Sequence, residues 1–183
     1  GALVVNFTSG MVLAAIPVYA DALAVPDAIA VIGSAGAYGV LMAAFAGGNF
    51  LGAVAASAVA DYPFGPTLIV GTTVSGVLWT AAVLVNWLPV TAPLIVLALV
   101  PVGIINVQLA AVVQSAPPDE YVGRVSSILG SASTSMIPVG SLLGGAVAST
   151  LGPQAAMLAL GAGSVGLALY VTLHPALRGL PAP

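Results

Sequence analysis

Leu94-Ile95-Val96-Leu97-Ala98-Leu99-Val100 is the stretch that decides the fold. No polar residue interrupts it, and a strand of a transmembrane barrel would alternate apolar and polar positions. The segment therefore reads as helix. It lies inside a charge-free run from 62 to 118, and three further charge-free runs cover 1–20, 28–60 and 125–177. A hydrocarbon core of about 30 Å needs about 20 apolar residues per helix. In chain order the four runs hold 20, 33, 57 and 53 residues, which gives one crossing each to the first two and two each to the others. The long runs divide at turn residues: Asn86-Trp87-Leu88-Pro89 with Thr91 and Pro93, and Leu151-Gly152-Pro153-Gln154. An all-α membrane protein of six transmembrane helices is expected. The helices fall near 1–20, 30–59, 66–86, 92–114, 125–150 and 154–174, forming one domain over 1–174 with a short tail at 175–183.

Composition carries the same message. Of 183 residues 60% are apolar and 4% charged, and the mean hydropathy is +1.18. A soluble domain is about 25% charged, so the lipid bilayer is the expected surrounding. The charges are Asp21, Asp27, Asp61, Asp119, Glu120, Arg124 and Arg178, for a net charge of −3. The 22 glycines and 14 prolines are embedded in Val, Leu, Ile and Ala runs, which rules out a disordered chain. Without cysteine there are no disulfides or thiolate metal sites. His174 stands alone, so a multi-histidine metal site is excluded as well, and no cofactor is expected. Two arginines and no lysine make no basic patch, which removes nucleic acid as a partner.

Six crossings put both termini on one side, together with the connections at 61–65 and 115–124. Arg124 and Arg178 lie on that side, and the opposite connections (21–29, 87–91, 151–153) hold no basic residue. The positive-inside rule makes the shared side cytoplasmic, with Trp87 an interfacial anchor on the outer side. The N-terminus has no basic flank and no cleavable signal pattern, and it starts inside an apolar helix, so sequence is expected before Gly1.

Small residues at four-residue spacing, Gly48 with Gly52, Gly140 with Gly144, and Ser127, Ser131 and Ser135, are expected to let helices approach closely. Pro17, Pro101 and Pro138 lie within spans, where each removes a backbone hydrogen bond and can bend its helix.

Chemistry-bearing residues are few. His174 has no acid near it in sequence and reads as a cap on the end of the last helix; no residue pair supports an enzyme mechanism. An unpaired amide in lipid is costly and faces a cavity or another helix. Asn6 on the first helix and Asn106 and Gln108 on the fourth are therefore candidates for lining a substrate path, with interhelical hydrogen bonding as the alternative. Asn49, between Gly48 and Gly52, reads more readily as packing. Gln114 lies further along the fourth helix.

The run Ser57-Ala58-Val59-Ala60-Asp61-Tyr62-Pro63-Phe64-Gly65-Pro66 resembles the loop between the second and third helices of each half of the major facilitator superfamily, with pattern Gly-x-Leu-Ala-Asp-Arg-x-Gly-Arg-Arg. Asp61 and Gly65 match, with one residue more between them; Tyr62 and Pro66 stand where the pattern has arginines. The run Gln114-Ser115-Ala116-Pro117-Pro118-Asp119-Glu120-Tyr121-Val122-Gly123-Arg124-Val125-Ser126-Ser127, followed by Ile137-Pro138-Val139-Gly140-Ser141-Leu142-Leu143-Gly144-Gly145, is similar to the tenth-to-eleventh helix region of the macrolide-efflux and enterobactin-exporter branch. Asn6-Phe7 and Ile16-Pro17-Val18-Tyr19 resemble its seventh helix. The resemblance spans the chain from the seventh helix to the twelfth.

It implies half of a facilitator fold, built as two three-helix inverted repeats, that exports a small-molecule substrate by alternating access with a missing N-terminal six-helix half. Asp61 and Gly65 would latch the cytoplasmic side against that half, and Arg124 would pair with one of its acids or with Asp119 and Glu120. An ion gradient is the expected energy source, since no phosphate-binding Gly-Lys loop exists. The alternative is a stand-alone six-helix membrane protein with a structural or assembly role, or an oligomeric channel.

Overall fold

The computed structural model describes residues 2–115, 123, 127, 130, 131 and 134–180. These form helices α1 (Ala2–Ala22), α2 (Gly33–Ala55), α3 (Phe64–Val85), α4 (Leu88–Ser115), α5 (Met136–Leu151), α6 (Pro153–Leu173) and the single turn α7 (Pro175–Arg178). Short 3₁₀ helices, Asp27–Ile32 and Ala56–Val59, flank α2. Among the described residues there is no strand, and α1, α2 with its flanking turns, α3, α4 and α6 are each long and apolar enough to cross a membrane. The described part of α5 is apolar and 16 residues long. The first part of the helix expected at 125–150 lies outside the described residues.

The breaks follow backbone chemistry. The crossing expected to run unbroken over 30–59 is interrupted at Gly33, whose φ of 59° suits glycine. Asn86 ends α3 in the left-handed region, φ 48°, which asparagine tolerates better than other side-chain-bearing residues. Helix α4 then begins at Leu88 rather than near 92. Pro89 and Thr91, read from sequence as parts of a turn, lie in its first turn, where a missing N–H costs nothing. Thr91 donates to Ala82 O at 3.0 Å, stitching the two helix ends together. Gly152, φ 91°, separates α5 from Pro153 at the start of α6.

Helix α4 packs between α2 and α3; α3 also meets α6, α6 meets α1, and α1 meets α5. The core centres on Trp79, Tyr19, Ile16, Leu41, Ile95 and Met157, all fully buried. The Trp79 indole donates Nε1–H to Met157 O at 2.7 Å and meets the Phe45 ring edge-on, centroids 5.5 Å apart. A buried tryptophan thereby keeps its one polar group paired.

Glycines set the closest approaches, as their spacing leads one to expect. A Cβ on Gly48 or Gly52 would run into the α4 backbone at Val96 or Val100, and one on Gly103 into Asn49 O. On the other side of the bundle a Cβ on Gly140 or Gly144 would run into α1 at Phe7 or Met11, and one on Gly10 into Ile137 O. Ser141 Oγ donates to Gly10 O at 3.0 Å in that contact. Ser127, Ser131 and Ser135 are exposed, and residues 128, 129, 132 and 133 between them lie outside the described residues.

The two glycine contacts are counterparts. Gly48 and Gly52 recur 92 residues later as Gly140 and Gly144, and Gly10 recurs 93 residues later as Gly103. Exchanging α1, α2 and α3 for α4, α5 and α6 turns the α2–α4 interface into α5–α1 and α3–α4 into α6–α1, and leaves α3–α6 unchanged. These are the five most extensive interfaces of the bundle.

Candidate functional site

Asn6 and Asn106 sit on the first helix of each three-helix unit. Asn6 is half-buried and shares a stripe of α1 with the exposed residues Leu13 and Pro17. Asn106 is exposed on α4 and makes no side-chain hydrogen bond to the described residues. Under the offset relating Gly10 to Gly103, Leu13 and Pro17 match Asn106 and Ala110, so the two amides occupy matching faces of matching helices. The structure does not bring the two backbones together: α1 and α4 touch through side chains such as Tyr19 and Thr91, without the close helix-to-helix approach seen between α2 and α4.

Gln108, two residues beyond Asn106, points elsewhere because successive helical positions are about 100° apart. It is 2% exposed and donates Nε2–H to Val59 O at 2.9 Å; its Oε1 has no partner among the described residues. The side chain ties α4 to the 3₁₀ turn at the end of α2, which separates it from the Asn106 face. Asn49 donates Nδ2–H to Phe45 O at 3.0 Å, one turn back on its own helix, in keeping with a packing role.

Asp61 is exposed at the turn between Ala56–Val59 and α3. Its neighbour Tyr62 donates N–H to Val59 O at 3.1 Å, closing the turn. Gly65 is buried against the C-terminal segment, its N–H directed at Leu180 O at 3.2 Å. Residues 175–180 are thus docked on the start of α3 rather than extending from the bundle as a tail. An apolar cleft of about 340 Å³ opens beside the turn, between Tyr62, Pro66 and Val70 on one wall and Pro101 and Ile104 on the other. Arg124, the third residue of the expected latch, lies outside the described residues, as does the Gln114 side chain.

His174 follows the end of α6. Its Nδ1 lies 2.8 Å from Tyr170 O and its ring lies against the Tyr170 ring, tilted by 37° with centroids 4.2 Å apart. A ring N–H donated to a carbonyl of the last helical turn is the capping arrangement expected from its position. Among the described residues no three His, Asp or Glu side chains gather as metal ligands.

Two features escaped the sequence reading. One is the notch at Gly65. The other is what the expected turn at Asn86 pairs with: Leu88 N donates to Ala24 O at 2.9 Å and Ala24 N to Asn86 O at 3.3 Å, joining the end of α1 to the α3–α4 connection.

Comparison with protein families, with curated proteins and with solved structures found no match for this chain.

Proposed function

We propose that this chain is one half of a secondary transporter of the major facilitator type, which exports a small molecule across the plasma membrane by rocking against a second six-helix half. The observation that carries the reading is the glycine-marked repeat. Internal repeats of an odd number of spans run in opposite directions through the bilayer, and inverted repeats are the building plan of many secondary transporters. Substrate sites in that plan lie near the midplane, on helices that are broken or bent. Pro17 in α1 and Pro93 and Pro101 in α4 interrupt the hydrogen-bond ladders of the two helices that carry Asn6 and Asn106. An exposed amide on an apolar helix is costly in lipid and well placed in a polar path.

On this reading the termini and the turn at 61–65 face the cytoplasm. Asp61 is exposed there and free to meet a helix N-terminus of the other half, where the dipole favours its charge. The sequence places Arg124 in the second cytoplasmic connection, and its role here is to pair, once the other half is present, with an acid of that half or with Asp119 and Glu120. The gradient of an ion drives the cycle.

Flux measurements test the reading. Vesicles holding this chain together with its second half are expected to show saturable export that collapses when ionophores dissipate the ion gradient, and liposomes holding this chain alone to show none. Saturable flux of dyes, macrolides or siderophores through the chain alone would overturn the half-transporter reading in favour of an oligomeric channel or carrier.

A further inference from the structure

Helix α3 has no N-cap of its own. It begins Phe64-Gly65-Pro66 after Pro63, and no side chain caps it. The first N–H groups of a helix need acceptors from outside the helix, most of all in a membrane protein. The far end of the chain supplies one. Beyond α6 the backbone makes the turn α7, closed by Arg178 N to His174 O at 3.1 Å and Gly179 N to Pro175 O at 3.0 Å, and Leu180 O then accepts from Gly65 N at 3.2 Å.

Glycine is required at 65 by this approach and not by its own backbone angle, which is outside the left-handed region. A Cβ there would fall on the carbonyl oxygen of Arg178 and 2.6 Å from that of Leu177. Three carbonyls therefore converge on the first turn of α3, at the positive end of its dipole.

We propose that residues 175–180 are an intramolecular clasp that docks in the notch at Gly65, supplies the missing cap of α3, and ties the turn carrying Asp61 to the end of α6. While the clasp is closed, that turn and the α6 terminus move as one body. Opening it uncovers the α3 N-terminus and frees the turn. The inference rests on these contacts and not on the transport reading.

Amide hydrogen exchange on the chain in detergent micelles tests it with four proteins besides the parent: Gly65→Ala, a chain ending at His174, the two changes combined, and Gly145→Ala, whose new methyl meets nothing within 4 Å. Gly65→Ala is expected to speed exchange at residues 178–180 and at the amides of residues 65 and 67 by at least about tenfold, while the α1–α5 contact stays protected. The chain ending at His174 is expected to show the same loss at the start of α3. With the clasp removed the obstacle is gone, so adding Gly65→Ala to the shortened chain should change its exchange and melting temperature no more than Gly145→Ala changes the parent's. Unchanged exchange at 178–180 in Gly65→Ala overturns the clasp. So does a Gly65→Ala penalty of equal size with and without the segment, a comparison that stands even if the full-length variant folds poorly.

Discussion

Adding one methyl to Gly140 strikes the bundle where α5 and α1 come closest. The new Cβ would fall on the Phe7 carbonyl oxygen and lie 2.9 Å from its carbon, where ordinary contact begins at 3.4 Å. Both obstacles are backbone, so no rotamer change can relieve them and the helices must part. Overpacking of this kind costs about 1–3 kcal/mol. Separation also stretches the Ser141 Oγ to Gly10 O hydrogen bond from 3.0 Å, and such interhelical bonds in membranes are worth about 0.6 kcal/mol on average. A total loss of about 2–4 kcal/mol is expected for Gly140→Ala. Five residues on, Gly145→Ala places its methyl in open space and gains helix propensity, worth about 0.5–1 kcal/mol in the stabilising direction. The repeat adds a sharper condition, because Gly48→Ala meets Val96 O and Leu99 on α4 and should cost about as much as Gly140→Ala. Reversible unfolding in mixed micelles, followed by tryptophan fluorescence, measures all three. Equal stability of Gly140→Ala and Gly145→Ala would refute the close α1–α5 approach.

Trp79→Phe removes the donor to Met157 O and part of a fully buried ring, and should destabilise by about 1–3 kcal/mol with a visible change in near-ultraviolet circular dichroism. Asn86→Ala removes the polar side chain that tolerates φ 48° and donates to Ala22 O, and should cost about 1 kcal/mol, whereas Asn86→Gly loses only that long exposed hydrogen bond and should lower the melting temperature less. In the protein with both halves, Asp61→Asn should weaken transport of two unrelated substrates alike. A dipole contact of up to about 2 kcal/mol can shift a two-state balance more than tenfold. Asn106→Ala should weaken only substrates that hydrogen-bond to it, so full activity of Asp61→Asn at unchanged protein level would leave the latch without support.

The helices were legible because lipid leaves a chain few choices: a long run without charge must satisfy its own backbone, and a helix does so. Their ends were less so. Pro89 looks like a breaker in sequence, yet a proline in the first turn of a helix removes little, and α4 starts before it and runs on through Pro93. Gly48 with Gly52 and Gly140 with Gly144 announced close packing, but spacing on one helix cannot name the partner, and α4 and α1 became visible only in the fold. Gln108 stood out as a polar residue in an apolar run. That it turns inward to Val59 O while Asn106 stays exposed depends on where the 3₁₀ turn after α2 falls, which no local pattern encodes. Gly65 drew notice through a loop resemblance, while the physical reason for glycine there lies at the other end of the chain.

The alternating direction of the helices, on which the inverted repeat depends, can be measured directly. The chain has no cysteine of its own, so single cysteines at Asp27, Asp61, Trp87, Gln154 and Ala182 can be probed in intact cells with an impermeant thiol reagent, and again after permeabilisation. Labelling of intact cells at 27, 87 and 154, with 61 and 182 reacting only after permeabilisation, is the predicted result: three crossings per unit, the units inverted, the termini inside. Labelling of 61 on the same side as 27 or 87 would mean that α2 or α3 does not cross, and would contradict the inverted repeat and the transporter half built on it.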